Sequence, residues 1–513
     1  MISIRHSSCL VLALSIFLAA SPRLNAERTN TVNDYLERWA QIKSLEKPWE
    51  VQWETNLVIE GLNSLPDGKE VGDALAKIYP NATSPEVKAH ILRTLGLRGG
   101  TDNIEFVVKE LAGLVTDKDQ IGAHAMRNLI DLCQDKVKLE AIAALTKRYF
   151  SHRSLQAHVP ILYAKLDKTE DRLKELSKLV KSGDPVTAGN AAFALCQWRE
   201  EEEYKDLIKM SRNKHRYVRS MLARGLLQWI NRPEAGEALL ALLADDEWQV
   251  RLNACQALAT AGDGAQVAHV CDAMAKEQIV RIKYDVADIF KTRSGKDLGF
   301  SWDAWKKWFA SNEENQPGPQ GGDGSVEYFG YKLTSNRVVF IIDQSGSMLA
   351  SYQGETRMEK AIKELTKAIE ALDKQVMFNI IAFSDRALAW AKGGLVAASA
   401  ASKKEAQGFT TALKADGGTA SYDALHDALT EIPADTIYFL SDGMPSLGKY
   451  TYMYRIRMEL QSLNRELEVR INCIGLLTGM HPEEKSKYIQ GAAEFLKTFA
   501  EENQGIARII EEN

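Results

Sequence analysis

The sequence predicts two folded units in tandem: an all-α solenoid, then an α/β unit with a doubly wound, mostly parallel sheet. Three observations carry this. From about residue 30 to 310, apolar residues recur at i, i+4 and i+8, with Gly, Asn or Asp at short intervals. Residues 311–325 hold Pro317-Gly318-Pro319 and Gly321-Gly322-Asp323-Gly324, a breaker-rich stretch with nothing to bury. From residue 326 onward, apolar strand patterns alternate with amphipathic helical ones, the pattern of a parallel sheet with right-handed crossovers. The chain therefore divides into a leader at 1–26, a solenoid at 27–310, a tether at 311–325 and an α/β unit at 326–513.

Composition bounds the function classes. Of 513 residues, 45% are hydrophobic and 26% charged, which is ordinary for globular protein. A net charge of -5 gives no broad electrostatic case for a nucleic-acid partner.

At the N-terminus, Arg5 and His6 precede the apolar run Cys9 to Ala20. Ser21-Pro22 then breaks the pattern, and Leu24-Asn25-Ala26 offers a cleavage site, so an export signal is expected. The run falls short of the roughly 20 apolar residues a membrane span needs. Cys9 precedes the run instead of ending it, which argues against a lipoprotein. The expected mature chain is exported without a membrane span: periplasmic, secreted or associated with the cell surface. It keeps Cys133, Cys196, Cys255, Cys271 and Cys473. Most sit in apolar patterns and read as buried free thiols, with Cys255 and Cys271 a candidate pair in an oxidising compartment.

Within the solenoid, equivalent helix starts fall at Trp53, Val87, Ile121, Leu155, Val186, Val218, Val250 and Val280. By subtraction, they are 30 to 34 residues apart. Ser84-Pro85-Glu86, Asp184-Pro185 and Asp245-Asp246-Glu247 supply polar or proline helix entries. A steady period of this size means stacked helix pairs sharing one continuous core. Val218-Arg219, Val250-Arg251 and Val280-Arg281 resemble the starts of short HEAT-like repeats. Tetratricopeptide repeats have a similar period, but their Trp, Gly, Tyr and Pro positions do not line up. Arg219, Arg251 and Arg281 are expected to pair with acids or helix ends of the adjacent repeat, in preference to forming a basic stripe. Trp302, Trp305 and Trp308 are expected to close the last apolar face. The concave face is a natural protein-binding surface by analogy of fold.

In the C-terminal unit, Tyr328 to Thr334 reads as a short strand, and Val338 to Ile342 as a strand buried on both faces. Helices are expected at Arg357 to Leu372, Lys403 to Leu413, Ala420 to Ile432, about Tyr450 to Arg465, and Pro482 to Glu502. Further strands are expected at Val376 to Phe383, Thr436 to Leu440, Val469 to Leu476 and Ile506 to Ile510.

Asp343-Gln344-Ser345-Gly346-Ser347 leaves the first buried strand at the end of the sheet where ligands bind. A carboxylate and hydroxyls with no soft ligand suit a hard cation, Mg²⁺ or Mn²⁺ in preference to Ca²⁺. Gly417-Gly418-Thr419 and Ser441-Asp442-Gly443 add oxygens past two later element ends. Together, the three stretches resemble the von Willebrand factor A domain and its metal-ion-dependent adhesion site, over roughly 326–513. The family motif is D-x-S-x-S, then Thr, then D-G. Asp343, Ser345, Ser347, Thr419 and Asp442 match it at every ligand position.

The resemblance implies a Rossmann-like α/β fold and metal-bridged capture of a partner protein's Asp or Glu carboxylate; the spacing alone implies only an oxygen-rich site. Asp416 and Ser441 flank the ligands in positions from which to orient them, and Asp416 reads equally well as a solvated turn residue. No H-E-x-x-H, G-x-S-x-G or Walker A sequence is present, and no base sits beside the serines. His426 reads as a surface or packing residue. The expected function is an exported, non-enzymatic binding or adhesion module with the repeat array as a second interaction surface. A metal-dependent hydrolase, or an accessory subunit of an enzyme assembly, is the alternative.

Overall fold

The computed structural model describes residues 30–66, 68–198, 201–311, 326–479 and 482–511. The leader expected at 1–26 lies outside them, as does the tether at 312–325.

The N-terminal unit is a stack of helix pairs. The second helices of successive pairs are Pro48–Ser64, Pro85–Arg98, Ile121–Leu132, Val159–Ala164, Pro185–Trp198, Arg216–Leu226, Trp248–Ala261 and Val280–Ser294. Their starts follow from local chemistry. The Ser84 hydroxyl accepts the Val87 N–H at 3.3 Å, with Pro85 in the first turn. The Asp184 carboxylate accepts the Thr187 N–H at 2.8 Å. Two expected starts need correction. Trp53 lies inside the Pro48–Ser64 helix, because Pro48 sets the first turn earlier. Leu155 belongs to a one-turn helix, Arg153–Gln156, that precedes Val159–Ala164.

The arginine ladder forms, with an unexpected third rung. Arg219 pairs with Asp245 at 2.6 Å and Arg251 with Glu277 at 2.8 Å, each from one repeat to the next. Arg281 is fully buried and crosses instead to the C-terminal unit. It donates to the carbonyl oxygens of Asp435 at 2.8 Å and Glu468 at 2.6 Å. Beyond it, Trp305 is fully buried against Phe290 and the part-exposed Trp302 packs on the same apolar core, so two indoles of the three close the stack.

The C-terminal unit contains strands β1 (Glu327–Tyr328), β2 (Tyr331–Lys332), β3 (Arg337–Asp343), β4 (Ser351–Tyr352), β5 (Glu355–Thr356), β6 (Met377–Phe383), β7 (Ala387–Ala389), β8 (Val396–Ala397), β9 (Thr436–Ser441), β10 (Arg470–Leu476) and β11 (Ala507–Ile510). The main sheet runs β11-β10-β9-β3-β6-β7, with β8 also on β6. Pairings from β11 to β6 are parallel, and β7 and β8 are antiparallel to β6. The expected strand at Tyr328 to Thr334 is instead the small hairpin β1/β2, because Phe329 and Gly330 turn the chain with positive φ. β3 has β6 on one side and β9 on the other, so the chain reverses its direction of travel across the sheet at β3. Such a switch point opens a crevice at the carboxyl ends of the strands.

The two units share a buried boundary. The Met453–Leu467 helix lies against the layer made by the second helices of the repeats. Tyr452, Tyr454 and Met458 belong to the array's apolar core, and Trp53 of the array packs on the core of the C-terminal unit. Several polar groups meet across this seam. Thr451 donates to Gln52 at 2.5 Å, Arg455 pairs with Asp119 at 2.7 Å, and Arg457 with Glu60 at 3.2 Å. Farther along, the Glu468 carboxylate accepts from Ser220 at 3.0 Å and from Asn253 at 2.9 Å.

His90 sits at the centre of this seam, fully buried and stacked on Tyr454 with ring centroids 4.1 Å apart. Its Nε2 faces the Glu60 carboxylate at 3.1 Å and its Nδ1 the Tyr452 hydroxyl at 2.7 Å. A carboxylate can only accept, so Nε2 carries the proton and Nδ1 accepts from Tyr452. Burial lowers the His90 pKa to about 4, against the opposing pull of Glu60. Glu60 is held well below its usual value: Arg93, His90 and Arg457 outweigh its desolvation. The inner surface assigned by analogy to an outside partner is therefore occupied, at these positions, by the chain's own second unit.

All five cysteines of the described residues are free and buried, so Cys255 and Cys271 are not joined. Among the described residues, no helix is long and apolar enough to cross a membrane.

Candidate functional site

Asp343 ends β3 and Asp442 follows β9, its immediate neighbour in the sheet. Both are fully buried. Asp343 is pinned from two directions: Oδ1 accepts the Ser345 N–H at 2.8 Å and Oδ2 the Ser441 hydroxyl at 2.6 Å. Ser441, the last residue of β9, thus fixes the Asp343 carboxylate.

Ser345 Oγ and Ser347 Oγ lie 3.0 Å apart, and the Ser347 hydroxyl donates to Asp442 Oδ1 at 2.8 Å. Ser345 is buried while Ser347 is exposed, so the cluster opens to solvent on the Ser347 side.

Thr419 arrives from a separate loop and is 5% exposed. Its N–H donates to Ser446 Oγ at 3.0 Å and its carbonyl accepts the Ser446 N–H at 3.0 Å. Two backbone bonds tie this loop to the first one: Gly346 N–H to Gly417 O at 3.0 Å, and Asp416 N–H to Gln344 O at 2.8 Å. Gly417 has a φ of +80°, and a Cβ there would stand 2.6 Å from Asp385 Oδ1. Glycine is therefore required by both conformation and space. Asp416 folds its carboxylate onto the Gly417 N–H at 2.8 Å and shapes its own turn. His426 is 41% exposed and lies beside Tyr422.

Three residues were not singled out in the sequence. Ser446 grips Thr419 by its backbone. Asp385 accepts the Gly418 N–H at 2.6 Å and so holds the Thr419 loop; its place just past the β6 strand was a usable signal. Arg357 is the third. It is buried and pairs with Asp442 Oδ2 at 2.7 Å, with side chains 3% and 0% exposed. Its Nε donates to the Thr478 carbonyl at 2.7 Å. In sequence it looks like any first-turn arginine after the Thr356 cap.

The electrostatics are those of an acid pair held out of water. Burial, then repulsion from Asp442, raises the Asp343 pKa. Burial raises Asp442 as well, against the lowering effect of Arg357 and the Ser347 hydroxyl. Such a pair calls for a positive charge. The donor set fits a small hard cation: adjacent ligands of an octahedral ion with bonds of about 2.05 Å stand about 2.9 Å apart. The Ser345–Ser347 and Ser347–Asp442 separations, 3.0 and 2.8 Å, are those of ordinary hydrogen bonds and are compatible with that spacing.

Sequence comparison agrees with this geometry. The family model for the von Willebrand factor type A domain matches residues 336–509, and that for HEAT repeats matches 173–259 and 204–284. Residues 336–509 form a von Willebrand factor type A domain. The HEAT-like array and the doubly wound sheet stand as expected.

The chain is 31% identical over 208 residues to inter-alpha-trypsin inhibitor heavy chain H4 of Bos taurus, covering 37% of this chain and 20% of that one. It is 33% identical over 139 residues to the Homo sapiens heavy chain H4, covering 24% and 14%. It is 29% identical over 156 residues to von Willebrand factor A domain-containing protein 3A of Homo sapiens, covering 30% and 12%. The chain thus spans a fifth or less of the length of these relatives. Among solved structures, a von Willebrand factor type A protein from Catenulispora acidiphila is 24% identical, with a TM-score of 0.28, over 35% of this chain and 40% of that one. The sequence likenesses suggest a protein-interaction module.

Proposed function

We propose that the chain is an exported, non-enzymatic binding module that captures a protein partner through an Asp or Glu carboxylate at a divalent-metal site. Asp343, Ser345, Ser347, Thr419 and Asp442 would hold Mg²⁺ or Mn²⁺, directly or through water. When bound, the ion supplies an electrophilic position that a partner's carboxylate can fill. The chain's own groups do the rest. Ser441 and the Ser345 amide fix Asp343, Asp385 and Ser446 fix the Thr419 loop, and Ser347 faces the solvent from which a partner arrives. The observation that carries the reading is the hydrogen-bonded run from Ser345 through Ser347 to Asp442, beside the buried Asp343, on the carboxyl edge of the sheet. Export rests on the N-terminal sequence pattern, and the second interaction surface would have to lie on array faces that the von Willebrand domain leaves uncovered.

Titration calorimetry with Mn²⁺ tests the site. One equivalent should be taken up by the wild-type chain and none by Asp343→Ala. Absence of uptake by the wild type, with or without an added carboxylate, would remove the proposal. Capture of a partner should be lost in chelator. Turnover of a phosphodiester or peptide panel, abolished by Asp343→Ala, would favour an enzyme instead.

A further inference from the structure

Arg357 changes the arithmetic of the site. When both are ionised, the two buried carboxylates carry two negative charges, and the guanidinium 2.7 Å from Asp442 Oδ2 cancels one of them. Arginine stays protonated in proteins, so this positive charge is permanent. It is also locked in place: Nε is held by the Thr478 carbonyl at 2.7 Å, and the side chain is 3% exposed. Arg357 further occupies Asp442 Oδ2, leaving Oδ1 on the Ser347 side.

A divalent ion entering a site of net charge -1 leaves a net charge of +1 in a place walled by buried groups and open to water on the Ser347 side. Uncompensated buried charge is costly. A single carboxylate from outside restores neutrality. We infer that Arg357 makes metal uptake and acidic-ligand capture mutually dependent: the ion alone is held weakly, and an arriving carboxylate tightens it. This rests on the metal-site reading above and names how that site is regulated. By linkage, the factor by which a carboxylate improves metal affinity is the factor by which metal improves carboxylate affinity. A chain lacking Arg357 would present two uncompensated carboxylates, bind the ion to neutrality by itself, and have little charge left to offer a partner.

The test is Mn²⁺ calorimetry on the full chain in sodium chloride and in sodium acetate at equal ionic strength. The wild type should bind Mn²⁺ several-fold more tightly in acetate. Arg357→Gln should bind Mn²⁺ in chloride at least tenfold more tightly than the wild type, and acetate should add little. Arg357→Lys, which keeps the charge, should retain the acetate dependence. Equal wild-type affinity in both salts overturns the inference while leaving the metal site standing; no uptake in either salt overturns the metal site itself. If Arg357→Gln does not fold, the wild-type and Arg357→Lys arms still decide the question.

Discussion

Arg281 Nη1 stands 2.8 Å from the carbonyl oxygen of Asp435, where the ladder of the repeat array passes into the von Willebrand domain. The preceding rungs end on the acids of the next repeat. Here the next repeat is absent, and β-sheet loops take its place. The guanidinium satisfies two carbonyls at once, at a position fully closed to water.

Arg281→Met should therefore destabilise the chain by on the order of 3 kcal/mol, since buried acceptors lose their donor. Arg219→Met, at a partly exposed rung, should cost about 1 kcal/mol. Chemical denaturation monitored by tryptophan fluorescence measures both. The Arg281 variant should also separate one cooperative transition into two, because the array and the domain lose a shared contact. A single unchanged transition would show that the seam is energetically idle.

The contribution of the buried histidines to stability should fall on acidification below pH 6.5, against the opposite contribution of the Asp343–Asp442 pair. His90 is buried neutral, with its pKa lowered to about 4, so the unfolded chain gains a proton near pH 6.5 that the folded chain refuses. His158, also buried, is lowered in the same direction. The loss runs from about pH 6.5 down to about pH 4, at up to about 1.4 kcal/mol per pH unit for each histidine. The stabilisation contributed by Glu60, whose pKa is held low, persists above its unfolded value of 4.5, so it does not mask this window. In His90→Gln, the slope between pH 6.5 and 4.5 should shrink by close to one proton. Urea midpoints collected across that range give the slope directly.

The acid pair makes the opposite prediction for the metal-free chain. The folded Asp343 pKa is raised, so its contribution is full below the unfolded value of 3.8 and is lost as pH rises through the raised one. At pH 8 without divalent ions, Asp343→Asn should be more stable than the wild type, by a few kcal/mol at most. Millimolar Mn²⁺ should reverse the order, because it stabilises only the chain that binds it. Thermal melts with and without Mn²⁺ would show the crossing, and parallel shifts in both proteins would exclude it.

Thiol reagents should leave the five cysteines of the described residues almost untouched in the folded chain. Burial pushes Cys196 and Cys271 up to about 12 and raises Cys133, Cys255 and Cys473 as well. The thiolate is the reactive form, so labelling should await unfolding. In denaturant, all five should react without prior reduction. Fewer than five would reveal a disulfide.

Much of the domain was legible because its signals are local. An unbroken Val-Val-Phe-Ile-Ile run has one comfortable place, between two strands, and the oxygens following it must then line the sheet's carboxyl edge. β7 and β8 escaped because three and two residues carry no alternation to read. Arg357, Asp385 and Ser446 escaped for a different reason. Each acts on a residue tens of positions away, and only Asp385, just past β6, carries a local signal. The seam between the units was invisible on the same grounds: an apolar stripe on Pro85–Arg98 announces burial without saying against what. His90 and Glu60 find Tyr452 and Arg457 across more than 350 residues.

The Met453–Leu467 helix is clasped near its start, through Thr451 and Tyr452, and just beyond its end, through Glu468. It begins a few residues after Ser446, which grips the Thr419 loop. Tension applied at that loop would therefore reach a strut anchored at both extremities, and prising the two bodies apart would mean breaking distant clasps in concert instead of unzipping them in sequence.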